Sequence, residues 1–496
     1  MKEIAMGKEM NRREFMQLTA GGCALCLAGI GCQQSAVLPM AAAPRLISPG
    51  CRRSKVKVAR IYMGKAANDY WPKPGLDLKK EVRFYESEFA KLNDELSDVE
   101  FVVNELVGSP DQIAPLKSKL EDVDGILVIH LTMRTGGVIQ EILKAQKPTM
   151  VFAVPYSGHG WTGFGGLMKQ PLGAKMECML TKDYNQLAAA VRPFRAIHHL
   201  REAKILNVTT RSFDAYANSV KDKFGTEIKQ VGLHRVVDAY KAVDNNKAEA
   251  ETRRWVKGAE MVVEPSREEI FKSCKLALAF EKMLEEENAT VMTVDCYGTM
   301  WDKTIKLPAY PCLGFSRLNN MGLGGICESD LPSAMTHIIF QGLVGRPGFI
   351  SDPTVDESTN TIILAHCMGT PKMDGPNGPM APYKLRTVME RRQGVVPQVE
   401  MRIGERVTQA ELIGTDLILY FTGEITDTLV KLEHDRGCRT KFAVRVDGDV
   451  TNLWKNWSHG LHRQTCYGDI TKELKNFCRF KEIEMVDEMV GASASV

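Results

Sequence analysis

At 496 residues the chain exceeds what one ordinary hydrophobic core holds together, and at roughly 100–200 residues per domain it implies two to four domains. Its 64 Lys and Arg against 61 Asp and Glu leave a net charge of +3, too weak a field to argue for nucleic acid or an anionic membrane as partner. The thirteen Cys include no C-x-x-C pair in the body of the chain, so neither a zinc ribbon nor a thioredoxin-type site is indicated.

Asn11-Arg12-Arg13-Glu14-Phe15-Met16 precedes an uncharged, Gly-rich run from Leu18 to Ile30, the pattern of a twin-arginine export signal occupying residues 1–43. The signal implies a partner, the twin-arginine export machinery, and a periplasmic or otherwise extracytoplasmic location. Gly29-Ile30-Gly31-Cys32 is an imperfect lipobox and Met40-Ala41-Ala42-Ala43 offers small-residue cleavage, so a soluble form and a form lipid-anchored through Cys32 both stay open. Nothing after Cys32 reaches the roughly 18 uncharged apolar residues of a spanning helix.

From residue 55 to 182, short β-branched runs alternate with amphipathic stretches, which predicts a Rossmann-like domain. The expected strands are Val56–Tyr62, Val99–Val103, Gly125–His130 and Thr149–Val154, with helices Lys79–Glu95, Pro115–Leu120 and Gly137–Ala145 between them. The turn after the first strand reads Met63-Gly64-Lys65-Ala66 rather than G-x-G-x-x-G, so no dinucleotide is inferred. Gly158 to Gly166 is expected as a flexible loop.

A second α/β domain is expected over 183–355: a helix ending at Leu200, a strand Lys204–Val208, helices Phe213–Phe224 and Lys247–Gly258, and a long helix capped by Ser266 that runs to Glu287. The strands Thr290–Asp295 and Gly324–Cys327 come next, then Glu328 and a helix Leu331–Leu343. Residues 356–496 are expected to be β-rich, with antiparallel strands Val399–Ile403, Leu412–Phe421 and Phe442–Val446. The fold class is therefore α/β, with two Rossmann-like domains followed by a β-rich C-terminal domain.

Glu328 stands between a strand and a helix, where the free N–H groups of the helix favour a carboxylate, although Glu328 or Asp330 can equally be a plain cap. Asp352 lies 24 residues later, counted as 352 − 328, far enough to pass one helix and reach the next strand end of the same sheet. Asp356 and Glu357 lie in a polar turn and are expected to be solvated. A third element, Ser458-His459-Gly460-Leu461-His462, runs into Tyr467-Gly468-Asp469.

In these motifs the chain resembles the L-fucose isomerase family and its fucose isomerase-like relatives, from Glu328 to the end, including Gly345-Arg346-Pro347 and Leu364-Ala365-His366-Cys367. The resemblance implies that Glu328, Asp352 and His462 bind manganese, and that the protein is a trimer or hexamer in which the first domain of one subunit covers the site of another. Leu461 departs from the family, which places Asn or His before the ligand His, and an export signal is foreign to a cytoplasmic catabolic enzyme. Two carboxylates and one imidazole make a hard donor set suited to Mn²⁺ or Mg²⁺. The implied activity is a metal-dependent aldose–ketose isomerase that moves a proton through an ene-diol, with Glu328 and Asp352 as ligands and proton shuttles. His366 is expected to contact the sugar rather than to ligate. His459 is expected at the surface, His130 and His159 near a cleft, and His198, His199, His234 and His434 have no supporting context. Alternatives are an epimerase or lyase acting on a modified sugar, and a non-catalytic periplasmic sugar-binding protein.

Overall fold

The computed structural model describes residues 54–65, 71–296, 307–431 and 435–490. The export-signal motif, Cys32, Ala66 and His434 lie outside the described residues.

Strands β1 (Val56–Met63), β2 (Val99–Val107), β3 (Gly125–His130), β4 (Thr149–Ala153) and β5 (Met176–Leu180) form a parallel sheet in the order β2-β1-β3-β4-β5. The two central strands β3 and β4 are buried at every position, as expected where helices cover both faces. Alternation along the strands sorts the core: Val58, Leu127, Ile129 and Phe152 pack on one face, Ala59, Ile61, Val128 and Val151 on the other. The first four strands fall where the hydrophobic runs predict them. The Gly158–Gly166 stretch does not stay a loop, because Trp161–Leu167 winds into a short helix that buries Phe164 and Leu167.

The second sheet is also parallel, in the order β10-β9-β6-β7, from β6 (Lys204–Val208), β7 (Glu227–Val231), β9 (Val291–Val294) and β10 (Gly324–Cys327). The helices of this region include α1 (Arg192–Glu202), α2 (Arg267–Glu286), α3 (Cys312–Asn320) and α4 (Leu331–Val344). Ser266 caps α2 in a reciprocal box with Glu269, as its sequence predicts. Asp330 caps α4 by accepting from Ser333 N at 3.0 Å, and Gly345 closes that helix in the left-handed conformation at φ +68°. α4 is buried around almost its whole circumference. It crosses α1 so closely that a Cβ on Gly342 would lie 2.4 Å from Ala196 Cα.

The C-terminal third is mainly antiparallel, with its last strand added in parallel at one edge. It contains β11 (Phe349–Asp356), β12 (Thr361–His366), β13 (Tyr383–Val388), β14 (Gln393–Val399), β15 (Arg406–Ile413), β16 (Leu417–Thr428), β17 (Thr440–Val446), β18 (Arg463–Tyr467) and β19 (Glu484–Asp487). Seven of these run β15-β18-β11-β12-β17-β16-β19, and an added β15–β16 pairing curls the sheet into a barrel. β13 and β14 form a separate small sheet with β8 (Met261–Val262), a strand contributed by the preceding domain.

Three expectations need correction. β11, the strand of Asp352, pairs antiparallel with β12 and β18, so Asp352 belongs to the barrel and not to the sheet that ends in Glu328, and the boundary at 355/356 falls inside one strand. The Leu412–Phe421 run is two strands split by a turn at Gly414, whose φ of +59° an apolar-run argument does not register. The strand expected over Val399–Ile403 ends at Val399.

The last helix, α5 (Thr471–Lys481), returns to the first domain. Phe480 stacks on Phe194 of α1 at 5.8 Å, and Arg479 donates to the carbonyls of Met176 and Met168 at 2.6 and 2.8 Å. Among the described residues no helix is long and apolar enough to cross a membrane.

Candidate metal centre

Strand register assembles the site. β11 lies between β12 and β18, pairing Asp352 with Ala365 on one side and Ser351 with Arg463 on the other. Asp352 is therefore flanked by the residues next in chain, His366 and His462. Glu328 arrives from the neighbouring domain at the end of β10. There Glu328 and Ser329 both take left-handed backbone angles, φ +61° and +56°, a strained conformation for side chains other than Gly that is held in place by its surroundings. Ser329 supplies that hold, donating from Oγ to Asn207 Oδ1 at 2.5 Å and from its backbone to the Val294 carbonyl at 3.1 Å.

His462 is the hub. Its Nδ1 is 2.9 Å from Asp330 Oδ2, and its Nε2 is 3.2 Å from Asp352 Oδ1 and 3.9 Å from Glu328 Oε2. The Asp330 contact fixes the hydrogen on Nδ1 and aims Nε2 at the two carboxylates, the orientation metal-ligating imidazoles take. Asp352 Oδ1 is buried, and what faces it is His462 Nε2 at 3.2 Å. Donor atoms around a hard octahedral ion stand about 3 Å apart, which this pair already matches.

Charge is unbalanced in the same sense. Burial acts to lower the pKa of His462, yet hydrogen bonding and attraction from Asp330 and Asp352 outweigh it and raise it to about 10. Glu328 is pushed above the usual carboxylate range, first by burial and then by Asp352, Asp330 and Glu390, against the pull of His462. For Asp352 burial is opposed and overcome by His462 and His366, which leave it lowered. A cation would relieve this crowding of carboxylates, and a bound ion at Nε2 must displace the proton that His462 otherwise keeps there.

His366 also reaches the centre. One donor atom each from Glu328, His366 and His462 lies within 4.8 Å of the others, and the two imidazole rings are 5.6 Å apart. His366 Nδ1 accepts from Met368 N at 3.4 Å, which leaves the hydrogen of the neutral ring on Nε2 as a donor. Burial, then His462, lowers its pKa to about 4, so it stays neutral.

Glu328, Asp352 and His366 open into a cavity of about 70 Å³. Five thiols line the same cavity, Cys296, Cys312, Cys327, Cys367 and Cys438, together with Glu390.

All four site residues expected from the sequence thus meet, though by a different route from the shared sheet edge. Asp330, read there as a cap, has a second task that nothing in its sequence context distinguishes, since one oxygen caps α4 while the other holds His462. Glu390 and the thiols carry no local signal, because they converge from a strand end, a helix start and separate turns. His459 is exposed at φ +60°. His130 and His159 line a separate cavity in the first domain. His198 is buried with Asp124 at 3.0 Å, and His199 is buried on the same helix. Asp356 spends its carboxylate on Ser358 in the turn after β11.

No family model matches the chain, and no curated protein matches it significantly. Function is therefore to be read from the donor set and its surroundings.

Proposed function

We propose that this chain is a divalent-metal-dependent sugar isomerase, fucose isomerase-like in fold, that interconverts an aldose and a ketose through an ene-diol. The observation that carries the reading is the buried Asp352 Oδ1 facing an imidazole whose other nitrogen is fixed by a carboxylate. The donor set fits a hard ion: Glu328, Asp352 and His462 would hold Mn²⁺ or Mg²⁺. When bound, such an ion polarises the sugar carbonyl and acidifies the neighbouring hydroxyl.

Glu328 is suited to carry the proton between C1 and C2, because its carboxylate faces the cavity from the end of β10, beside Asp352 and His366. His366 donates from Nε2 to a sugar oxygen. Exported placement, with the twin-arginine machinery as partner, and a trimer or hexamer belong to the same proposal.

The test is turnover of an aldose panel by the full chain after chelation and after return of Mn²⁺. Activity should vanish and return, and Glu328→Gln should lower kcat by about 10²–10⁴-fold. Full activity in the chelated protein overturns the reading. Epimer formation in place of ketose would retain the metal and change the reaction.

A further inference from the structure

We propose that Cys367, Cys438 and Glu390 form a second cation site, one for a thiophilic divalent ion such as Zn²⁺, set against the hard-donor centre but distinct from it. One donor atom from each of the three lies within 4.8 Å of the others. Glu390 faces both thiols: its Oε2 is 3.8 Å from Cys367 Sγ and its Oε1 is 3.7 Å from Cys438 Sγ. Two sulfurs and one carboxylate supply three corners of a tetrahedron and leave one position open.

The barrel register explains why these residues meet. β12 and β17 pair His366 with Thr440, so the chain just after β12 and the chain just before β17 leave the barrel side by side, carrying Cys367 and Cys438. Glu390 comes from the turn between β13 and β14. Cys367 is buried, whereas Glu390 is exposed, so an ion has a route in from the cavity.

The chemistry of the two sites separates them. Oxygen and imidazole donors favour Mn²⁺ or Mg²⁺, and thiolates favour Zn²⁺. Asp352 stands between them, with Oδ1 toward His462 and Oδ2 4.0 Å from Cys438 Sγ. Another thiol pair, Cys296 and Cys327, has its sulfurs 3.3 Å apart, but the carboxylate nearest it is Glu328, which the hard centre already uses. Cys367 and Cys438 have a carboxylate of their own. Binding would convert both thiols to thiolates and release their protons to solvent.

The test uses the reduced, chelator-stripped full chain titrated with Co²⁺ and then Zn²⁺. Thiolate-to-cobalt charge-transfer absorption should appear and be bleached by Zn²⁺. It should be lost in Cys438→Ser, weakened in Glu390→Gln, and kept in Glu328→Gln and Cys327→Ser. Glu390 is exposed, so its variant folds whatever the fate of the buried thiol changes. No charge-transfer band in the wild-type chain overturns the proposal. So does a band that survives in the Cys367→Ser/Cys438→Ser double variant, or one lost only in Cys327→Ser. A Glu328→Gln protein that keeps the band without turnover separates this site from the isomerase reading, and each can fail alone.

Discussion

Asp330 shows how one side chain can serve fold and site together. Oδ1 ends the free N–H run of α4 and Oδ2 orients His462, so the helix start and the ligand tautomer are fixed by a single carboxylate. Asn at this position keeps an oxygen for the cap but presents an amide N–H to the imidazole, which moves the ring hydrogen to Nε2 and blocks ligation there. Asp330→Asn should weaken Mn²⁺ binding by about 10–100-fold, measured by titration calorimetry. Its melting temperature without metal should fall as well, because Asp330 also steadies the protonated His462. Unchanged affinity would show that Asp330 matters only as a cap.

At the level of elements, the parallel strands are legible because their burial on both faces writes continuous apolar, largely β-branched runs, as in Gly125–His130. α2 and α4 were legible from Ser266 and Asp330 at their starts. β11 was not: its carboxylate-bearing end looks like a strand closing a Rossmann unit, and only pairing with β12 and β18 shows that it opens the barrel. Pairing partners that far apart in sequence leave no local mark. The same limit hid Glu390 and Cys438. The tight crossing of α1 and α4 gives an element-level prediction, because any Cβ at Gly342 meets backbone rather than a flexible side chain. Gly342→Ala should cost about 1–3 kcal/mol in denaturant unfolding. If it proves neutral, the helices have room to part.

Across the whole molecule, the first domain is tied to α1 through Asp124, which accepts from Lys57 N at 2.9 Å and sits against His198 and Arg201. Burial acts to raise its pKa, but His198 and Arg201 outweigh burial and hold it below 3.8. A depressed folded pKa means that this contribution is complete above 3.8 and is lost as pH falls through the lower folded value. Asp124→Asn should therefore destabilise the protein at neutral pH and narrow its gap to wild type as melts are taken at pH values progressively below 3.8. A constant gap across that range would assign the effect to packing.

The clasp of α5 on the first sheet has a consequence for biosynthesis. Phe194 is wholly buried, and part of its cover is Phe480, 286 residues later by the difference 480 − 194. A polypeptide leaving the ribosome from its N-terminus thus holds its first sheet with one flank bare until Phe480 has emerged. The donors of the metal centre, spread from Glu328 to His462, are completed just as late. Ion capture and closure of the first domain therefore both wait for the segment from His462 to Phe480, and a product cut short before it lacks the two together.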